Sequence, residues 1–522
     1  MSHRKRPADA YPVPDSGAGD GPKRRGADAY PVADSGAGDG PRRRGSVASF
    51  PSYLDAPELP AKLRLICELL ASAPSAAAVE PLLDGAAASI PSLSHSDVEH
   101  VLRLSYSHPG PALAFFRWSG ARHLSHLHSP YSWNLLVDLL GKNLLFPPMW
   151  HALHSMHSLS LLSLATFASV FSSLASASAS PPDAPLQAFL SLPSFGLPRD
   201  SAALNSLLSA LCRAGRAADA RAALPRAAAA AAGARPDADS FAILLEGCEA
   251  DADPRAARQV LDEMLATLGW DPACAAAFDS FLVTLLGAGP SPAAGLADAL
   301  QAFDAMRRNG CFPGMKFFRA AIRSCVAAHD PRAAAALWDA LSSRPGCAPD
   351  TALYNSMISL QCSLGQAELA AALRYLDEMV FYGAFPDAET YDLLLHHLLR
   401  GRKLSEAAAI FMEMVRNEHC PSTGSCQSAV KIFLDAEDWE TAEKVWRCMV
   451  ENGLKPVEES GNMIVERLRG RGLLPEAWKF AEEVIDSGVK LYSSTLSKLR
   501  HSLTKVGKGS IHEYLLIKWK AH

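Results

Sequence analysis

The stretch TALYNSMISLQCSLGQAELAAALRYLDEMVFYGAFPD, residues Thr351 to Asp387, divides into two apolar-faced halves around a break. Tyr354, Met357, Ile358 and Gln361 fall at i, i+3, i+4 and i+7, the spacing that gathers side chains on one face of an α-helix. Leu364-Gly365-Gln366 interrupts the pattern, since glycine accepts the positive φ that ends a helix. Leu369, Ala372, Leu373, Leu376 and Met379 then set a second stripe, and Gly383 and Pro386 close the unit. A single hairpin of two such helices cannot bury both stripes, so it requires neighbours.

The same grammar recurs on either side. It is found in SAALNSLLSALCRAGRAADARAAL from Ser201, in ETYDLLLHHLLRGRKLSEAAAIFMEMVRNEHCPS from Glu389, and in CQSAVKIFLDAEDWETAEKVWRCMVENGLKPV from Cys426. Turn residues Gly215, Gly365, Gly401, Asp438 and Gly472 are followed by small residues, Ala220, Ala370, Ala407, Ala442 and Ala477, where two helices would cross closely. Met264, Met306, Met379, Met414 and Met449 stand near the end of each second helix. The closing positions Asp350, Asp387, Ser422 and Val457 are 37, 35 and 35 residues apart (387 − 350, 422 − 387, 457 − 422). A fixed helix–turn–helix period of this size predicts an α-solenoid. The repeats start near Pro130, Leu164, Ser201, Ala238, Ala275, Met315, Thr351, Ala388, Thr423 and Glu458.

The Trp, Gly-Tyr and Pro signature of tetratricopeptide repeats is missing. The units resemble pentatricopeptide repeats instead, in an apolar residue before Asn (Trp133-Asn134, Leu204-Asn205, Tyr354-Asn355), the turn, the Ala, the terminal Met and a Gly-x-x-Pro-Asp close. The layout is similar to the plain P class of plants. The resemblance implies an all-α, right-handed α-α superhelical solenoid of about ten helical hairpins. It divides the chain into a disordered leader over 1–60, a helical cap over 61–129, an array over 130–492, and a capping helix with a basic tail over 493–522.

Bulk properties agree with a folded array. The 522 residues are 49% hydrophobic and carry a net charge of −5, so any nucleic-acid contact must come from a local surface. The 11 cysteines show no paired C-x-x-C spacing, and Cys212, Cys325, Cys362 and Cys448 sit within helical stripes, the pattern of reduced core thiols. No run of about 18 apolar residues occurs, so no membrane insertion is expected. The leader holds a tandem copy, Ala8 to Val13 repeated at Ala27 to Val32, and three basic clusters, Arg4-Lys5-Arg6, Lys23-Arg24-Arg25 and Arg42-Arg43-Arg44. Its composition predicts disorder. The clusters fit nuclear import or solvated charge, and Asp9, Asp15, Asp20, Asp28, Asp34 and Asp39 depart from an acid-poor transit peptide. The resemblance implies a mitochondrion, with chloroplast and nucleus as alternatives.

Catalytic patterns are missing: there is no Walker lysine loop, no H-E-x-x-H, no G-x-S-x-G and no zinc-deaminase motif. His123, His126, His128, His151 and His154 cluster, but without a Cys or carboxylate partner at metal-site spacing. The chain is read as a non-enzyme without cofactor, metal or small-molecule substrate. The remaining chemistry is recognition. By resemblance, the fifth residue of a repeat and its last residue read one base of single-stranded RNA from an organellar transcript, with other RNA-processing proteins as further candidate partners. The pairs are Asn134 with Ser163, Asn205 with Asp237, Asn355 with Asp387, and Asp392 with Ser422. The resemblance assigns uridine to the two Asn/Asp pairs and cytidine to Asn134 with Ser163. Asp392 with Ser422, Arg319 with Asp350, Gln427 with Val457 and Asn462 with Tyr492 are less standard. An Asn at such a place could instead cap a helix. Lys142, Arg213 and Arg400, eight residues past a fifth position, lie about two helical turns on and are assigned to phosphates. The position that is usually aliphatic in the family holds Asp239, Lys316, Glu389, Gly424 and Glu459, so acid there would oppose phosphate and confine RNA to some repeats. A scaffold that grips a peptide on the same wall is the competing reading.

Overall fold

The computed structural model describes residues 50 to 521, except 57, 91, 179, 231–232, 290, 344–347, 366–368 and 420. The duplicated leader lies outside the described residues as far as residue 49; beyond it, Tyr53–Asp55 forms a 3₁₀ turn capped by the Ser52 hydroxyl. Residues 51–522 form one compact unit. Among the described residues all regular structure is helical, without a strand.

The helices pair in chain order as α1 (Ala61–Ser72) with α2 (Val79–Gly85), α3 (His95–Leu104) with α4 (Pro109–Arg122), α5 (Pro130–Lys142) with α6 (Phe146–Ser158), and α7 (Leu164–Ser176) with α8 (Ala184–Leu190). Next come α9 (Ser201–Arg213) with α10 (Ala217–Ala230), α11 (Ala238–Ala250) with α12 (Pro254–Leu268), and α13 (Ala275–Gly287) with α14 (Pro292–Arg308). Then follow α15 (Met315–Ala328) with α16 (Pro331–Ser342), α17 (Thr351–Ser363) with α18 (Leu369–Phe381), and α19 (Ala388–Arg400) with α20 (Leu404–Arg416). The last are α21 (Thr423–Asp435) with α22 (Trp439–Glu451), α23 (Glu458–Gly470) with α24 (Leu474–Asp486), and α25 (Ser493–Lys505) with α26 (Gly509–Ala521). The first helices α5 to α23 start at the ten positions that the repeat grammar marks. The region before Pro130 is built the same way, and Pro109, which breaks the pattern in sequence, opens α4 at N1, where a missing N–H costs nothing. The basic tail after Lys505 is not an extended end but a second helix, α26, with Lys518 between Glu482 and Asp486 at 2.8 Å each.

Each odd-numbered helix packs on the next odd-numbered one, from α1 through α25. The even-numbered helices meet their own kind at fewer places, among them α2 with α4, α8 with α10, α20 with α22, and α24 with α26. The first helices are therefore the close-packed row. Tyr354, Met357, Ile358 and Met379 are fully buried in the joints, as are Met414 and Met449. The buried small residue at the crossing is the fourth of each second helix: Ala220, Ala407, Ala442 and Ala477. In the Thr351 hairpin that residue is Ala372 rather than Ala370, which is exposed; this repeat is 37 residues long where the next two are 35. The Ala-rich α10 buries only Ala217, Ala220, Ala223, Leu224 and Ala227 and carries Pro225 inside it, whereas α22 buries Val445, Trp446 and Met449.

The turn within a hairpin reverses at a left-handed residue fourteen past the start of its first helix. That residue is Gly215, Gly365 or Gly472 in some hairpins, and Leu144, Ala252, His329, Arg402 or Glu437 in others. At the turns marked by Gly401 and Asp438, the positive φ thus belongs to the neighbours Arg402 and Glu437, while Gly401 is right-handed with φ −77. Leu144 (φ 61) is half-exposed, so its side chain offers little in return for its backbone strain. Relief of roughly 1–2 kcal/mol of left-handed strain, less roughly 0.5–1 kcal/mol of glycine entropy, should make Leu144→Gly more stable, with a raised thermal midpoint by circular dichroism. Gly141→Ala, one turn earlier, should shift that midpoint down by the equivalent of about 1–3 kcal/mol, because its methyl would stand 2.7 Å from Ser173 Cβ at the α5–α7 contact.

Candidate nucleic-acid interface

The closing residue of one hairpin is the N-cap of the next first helix. Ser163 caps α7, Asp237 caps α11 and Asp387 caps α19, each in a reciprocal capping box with a hydroxyl residue at N3: Thr166, Ser240 or Thr390. The N3 hydroxyl also reaches back to the fifth residue of the hairpin before. Thr390 Oγ1 donates to Asn355 Oδ1 at 2.6 Å, Ser240 Oγ to Asn205 Oδ1 at 2.5 Å, and Thr166 Oγ1 to Asn134 Oδ1 at 2.7 Å. These three hydroxyl residues are fully buried. With their oxygens occupied, two of the asparagines give their amide nitrogens to the closing carboxylates: Asn355 Nδ2 donates to Asp387 Oδ1 at 3.2 Å, and Asn205 Nδ2 to Asp237 Oδ1 at 3.1 Å. The helix-cap reading of these asparagines fails, since each is the fifth residue inside its helix and the caps of those helices are Ser129, Asp200 and Asp350. Burial works to raise the carboxyl pKa of Asp237 and Asp387, but hydrogen bonds from the Asn side chains and from Ser240 or Thr390 outweigh it and hold both below the usual range.

Other junctions use the same two positions differently. Asp392 accepts the backbone N–H of Ser422 on both oxygens at 3.2 Å, while Ser422 Oγ caps α21. Arg319 donates through Nε to Asp350 at 2.9 Å, so that pair is an ion pair. Asn462 is spent on backbone: its Nδ2 donates to Glu458 O and Lys490 O, and its Oδ1 accepts from Tyr492 N. Two features escaped the sequence reading. Glu99, the fifth residue of α3, accepts from Ser129 Oγ at 2.6 Å, so the joint geometry starts one hairpin early. Asp279, the fifth residue of α13, accepts the Phe317 N–H at 3.0 Å and caps α15 from outside, where Gly314 has no side chain to do so. The recurrence of Ser or Thr three residues past each closing Ser163, Asp237 and Asp387 was the available signal.

The first helices α15, α17 and α19 enclose a cleft of about 250 Å³ lined by Arg323, Asn355, Ser356, Ser359, Glu389 and Leu393, among others. Asn355, only 5% exposed, faces this cleft, and no side chain among the described residues donates to Asp387 Oδ2. An Asn N–H and a carboxylate oxygen thus stand side by side. Of the assigned cations, Arg213 is exposed with no side-chain partner among the described residues, and Arg400 borders a second cleft beside Cys362 and His397. Lys142 is paired with Asp138 at 2.8 Å and lies over the Tyr106 ring, so part of its charge is already answered. Lys316 is likewise paired with Glu249 at 2.6 Å.

Of the five histidines His128 is buried in the core, whereas His126, His151 and His154 are exposed. His128 Nε2 donates to Phe116 O at 2.8 Å, its ring stacks on Phe116, and burial pulls its pKa down to about 4. Among the described residues no group of three His, Cys, Asp or Glu could hold a metal. Burial pushes the thiols of Cys67, Cys212 and Cys325 up to about 12 and that of Cys362 to about 11, which leaves them unreactive. No described helix is long and apolar enough to cross a membrane.

A family model described as PPR repeat matches residues 389–419, the α19–α20 hairpin. A chloroplastic pentatricopeptide repeat-containing protein of Arabidopsis thaliana is 24% identical over 194 residues, 34% of this chain and 25% of the relative. A mitochondrial one from the same plant is 27% identical over 119 residues, 23% of this chain and 24% of the relative. The chain therefore spans about a quarter of the length of these curated relatives. The solved structure of maize pentatricopeptide repeat protein PPR10 is similar at a TM-score of 0.41 and 19% identity, over 88% of this chain and 64% of that one. Yeast Rmd9p in complex with a 16-nucleotide target RNA is similar at 0.36 and 12%, over 88% and 97%. The hairpin that the family model matches, α19–α20, is one of a row of paired helices: the chain carries a pentatricopeptide repeat at residues 389–419.

Proposed function

We propose that this chain binds single-stranded RNA along its row of first helices, selects bases at a few hairpins, and acts on a transcript in an organelle without cutting it. Residues 130–492 are the reading array, of the plain P class, with the flanking hairpins as caps. The observation that carries the reading is the hydrogen-bonded pair of Asn355 and Asp387, whose Asn borders the cleft. Its free N–H and carboxylate oxygen complement the carbonyl and N3–H of uracil, whereas cytosine, with an acceptor at N3, would meet the carboxylate acceptor to acceptor. Ser163 supplies a hydroxyl that can donate, so Asn134 with Ser163 suits cytosine. Asn205 with Asp237 repeats the uracil pattern. Asp392 with Ser422 is the weakest reader of the four, since its carboxylate is committed to backbone. A bound strand could neither pair with itself nor feed an exonuclease, which is the action proposed.

On an RNA chosen from a randomised pool, Asn355→Ala should weaken binding by about 1–3 kcal/mol, the range of one base contact. Asp387→Ser keeps a side-chain cap for α19 and should erase the preference for uridine over cytidine at that position. An unchanged preference by fluorescence anisotropy would show that this hairpin does not read a base. Phosphate contacts by Lys142, Arg213 and Arg400 imply a log–log salt slope of about −0.7 each, so a fourfold rise in salt should lower affinity roughly 20-fold. The acids Asp239, Glu389 and Glu459 favour the alternative of a peptide groove on this wall, and that groove would show a flat salt response. The organelle names of both curated relatives support an organellar site, and we place it in the mitochondrion. Residues 1–60 fused to a fluorescent reporter should direct it there, and an exclusively nuclear signal would overturn that placement.

A further inference from the structure

The Thr351 hairpin ends its second helix with Val380-Phe381-Tyr382 and, past the Gly383 turn, Phe385; these side chains are 50%, 82%, 66% and 77% exposed. The neighbouring hairpins serve as an internal control. Helices α18, α20, α22 and α24 are followed two residues later by the left-handed Gly383, Glu418, Gly453 and Gly488, so their ends share one backbone course. Where α18 ends in Phe381, the others end in Arg416, Glu451 and Asp486. Where it is followed by Tyr382, they are followed by Asn417, Asn452 and Ser487. In place of Phe385, the next two hairpins but one carry Lys455 and Lys490. The fold is thus built at this place with polar residues, and it does not require the aromatics. Three exposed aromatic side chains within five residues are a feature of docking surfaces.

The patch borders a cleft of about 620 Å³ between α16 and α18, lined by Trp338, Asp339, Asp377, Glu378, Phe381 and Tyr382. Trp338 Nε1 donates to Glu378 at 3.3 Å and the Tyr354 hydroxyl does so at 3.4 Å, which fixes the floor. The Phe381 and Tyr382 rings stand edge to face at 5.1 Å. The Phe385 carbonyl is anchored by the Thr351 hydroxyl at 3.1 Å, so its exposed ring starts from a tethered backbone. Asp339 and Asp377 are exposed, and no Lys or Arg lines the cleft among the described residues.

We propose that this cleft, on the row of second helices, docks a partner protein through a short segment presenting an apolar anchor flanked by Lys or Arg. The acids match that flank and would repel the phosphates of a nucleic acid. A second copy seated symmetrically would bring Asp339 and Asp377 against acids like themselves. The site lies on the opposite helix row from the RNA cleft and does not rest on that reading.

Short random peptides displayed on phage, selected on the full chain, are expected to be enriched in sequences with a Leu, Ile or aromatic residue next to Lys or Arg. Labelled synthetic copies should bind at least about tenfold more weakly to Phe381→Arg with Phe385→Lys, and again to Asp339→Lys with Asp377→Lys. Both variants should keep the helical circular dichroism and the RNA affinity of the parent; the second pair keeps the test valid if the first misfolds. Enrichment without basic residues, or affinity unchanged in either variant that folds, would overturn the proposal. So would competition of the peptide by oligouridylate, or self-association of the parent chain that the Phe381 and Phe385 changes abolish.

Discussion

At two joints a single carboxylate serves two helices. Asp387 Oδ1 accepts the Thr390 N–H that opens α19 and the Asn355 amide that α17 presents, and Asp237 repeats this for α11 and α9. The orphan donors at a helix start have to be met somewhere, and here the group that meets them also fixes the amide of the preceding hairpin. Structure and recognition are therefore not separable at these positions. Because hydrogen bonds to the charged form hold the carboxyl pKa values below the ordinary one, this stabilisation is present above the ordinary value. It is lost as the pH falls through the lowered folded value.

How much of this could be read from the sequence follows from what each feature depends on. Helix starts depend on short-range chemistry, a capping side chain followed by an apolar stripe, and from Pro130 to Glu458 they lie where the pattern marks them. The crossing residue depends on repeat length, and in the 37-residue Thr351 hairpin it is Ala372 rather than Ala370. Left-handed turn residues were visible only where they are glycine; at Arg402 and Glu437 the flanking helices impose the conformation. The roles of Thr166, Ser240 and Thr390 require contacts across 32 or 35 residues, beyond the reach of a pattern read one repeat at a time. The asparagines themselves were visible as a recurring position, but which of their atoms remain available was not.

The wall of first helices is uneven. At Asn134, Asn205 and Asn355 the fifth residue accepts the buried hydroxyl of the next first helix. At Asp279, Arg319 and Asn462 the same position is consumed by a cap, an ion pair or backbone. Several cations on the wall are already matched by acids, so attraction of the backbone falls to the few that are not.

In a row where each hairpin is held by its neighbours, global strength is decided by the weakest joint. The α9–α10 hairpin is that place by composition, since α10 offers its neighbours methyl groups and one leucine, with Pro225 removing a backbone bond from its middle. Unfolding that begins there needs to disrupt the least buried area, and it would leave folded segments on both sides able to serve as templates for re-formation. The fracture point thus falls in the hairpin that carries Asn205, so any ligand spanning that joint would act as a splint.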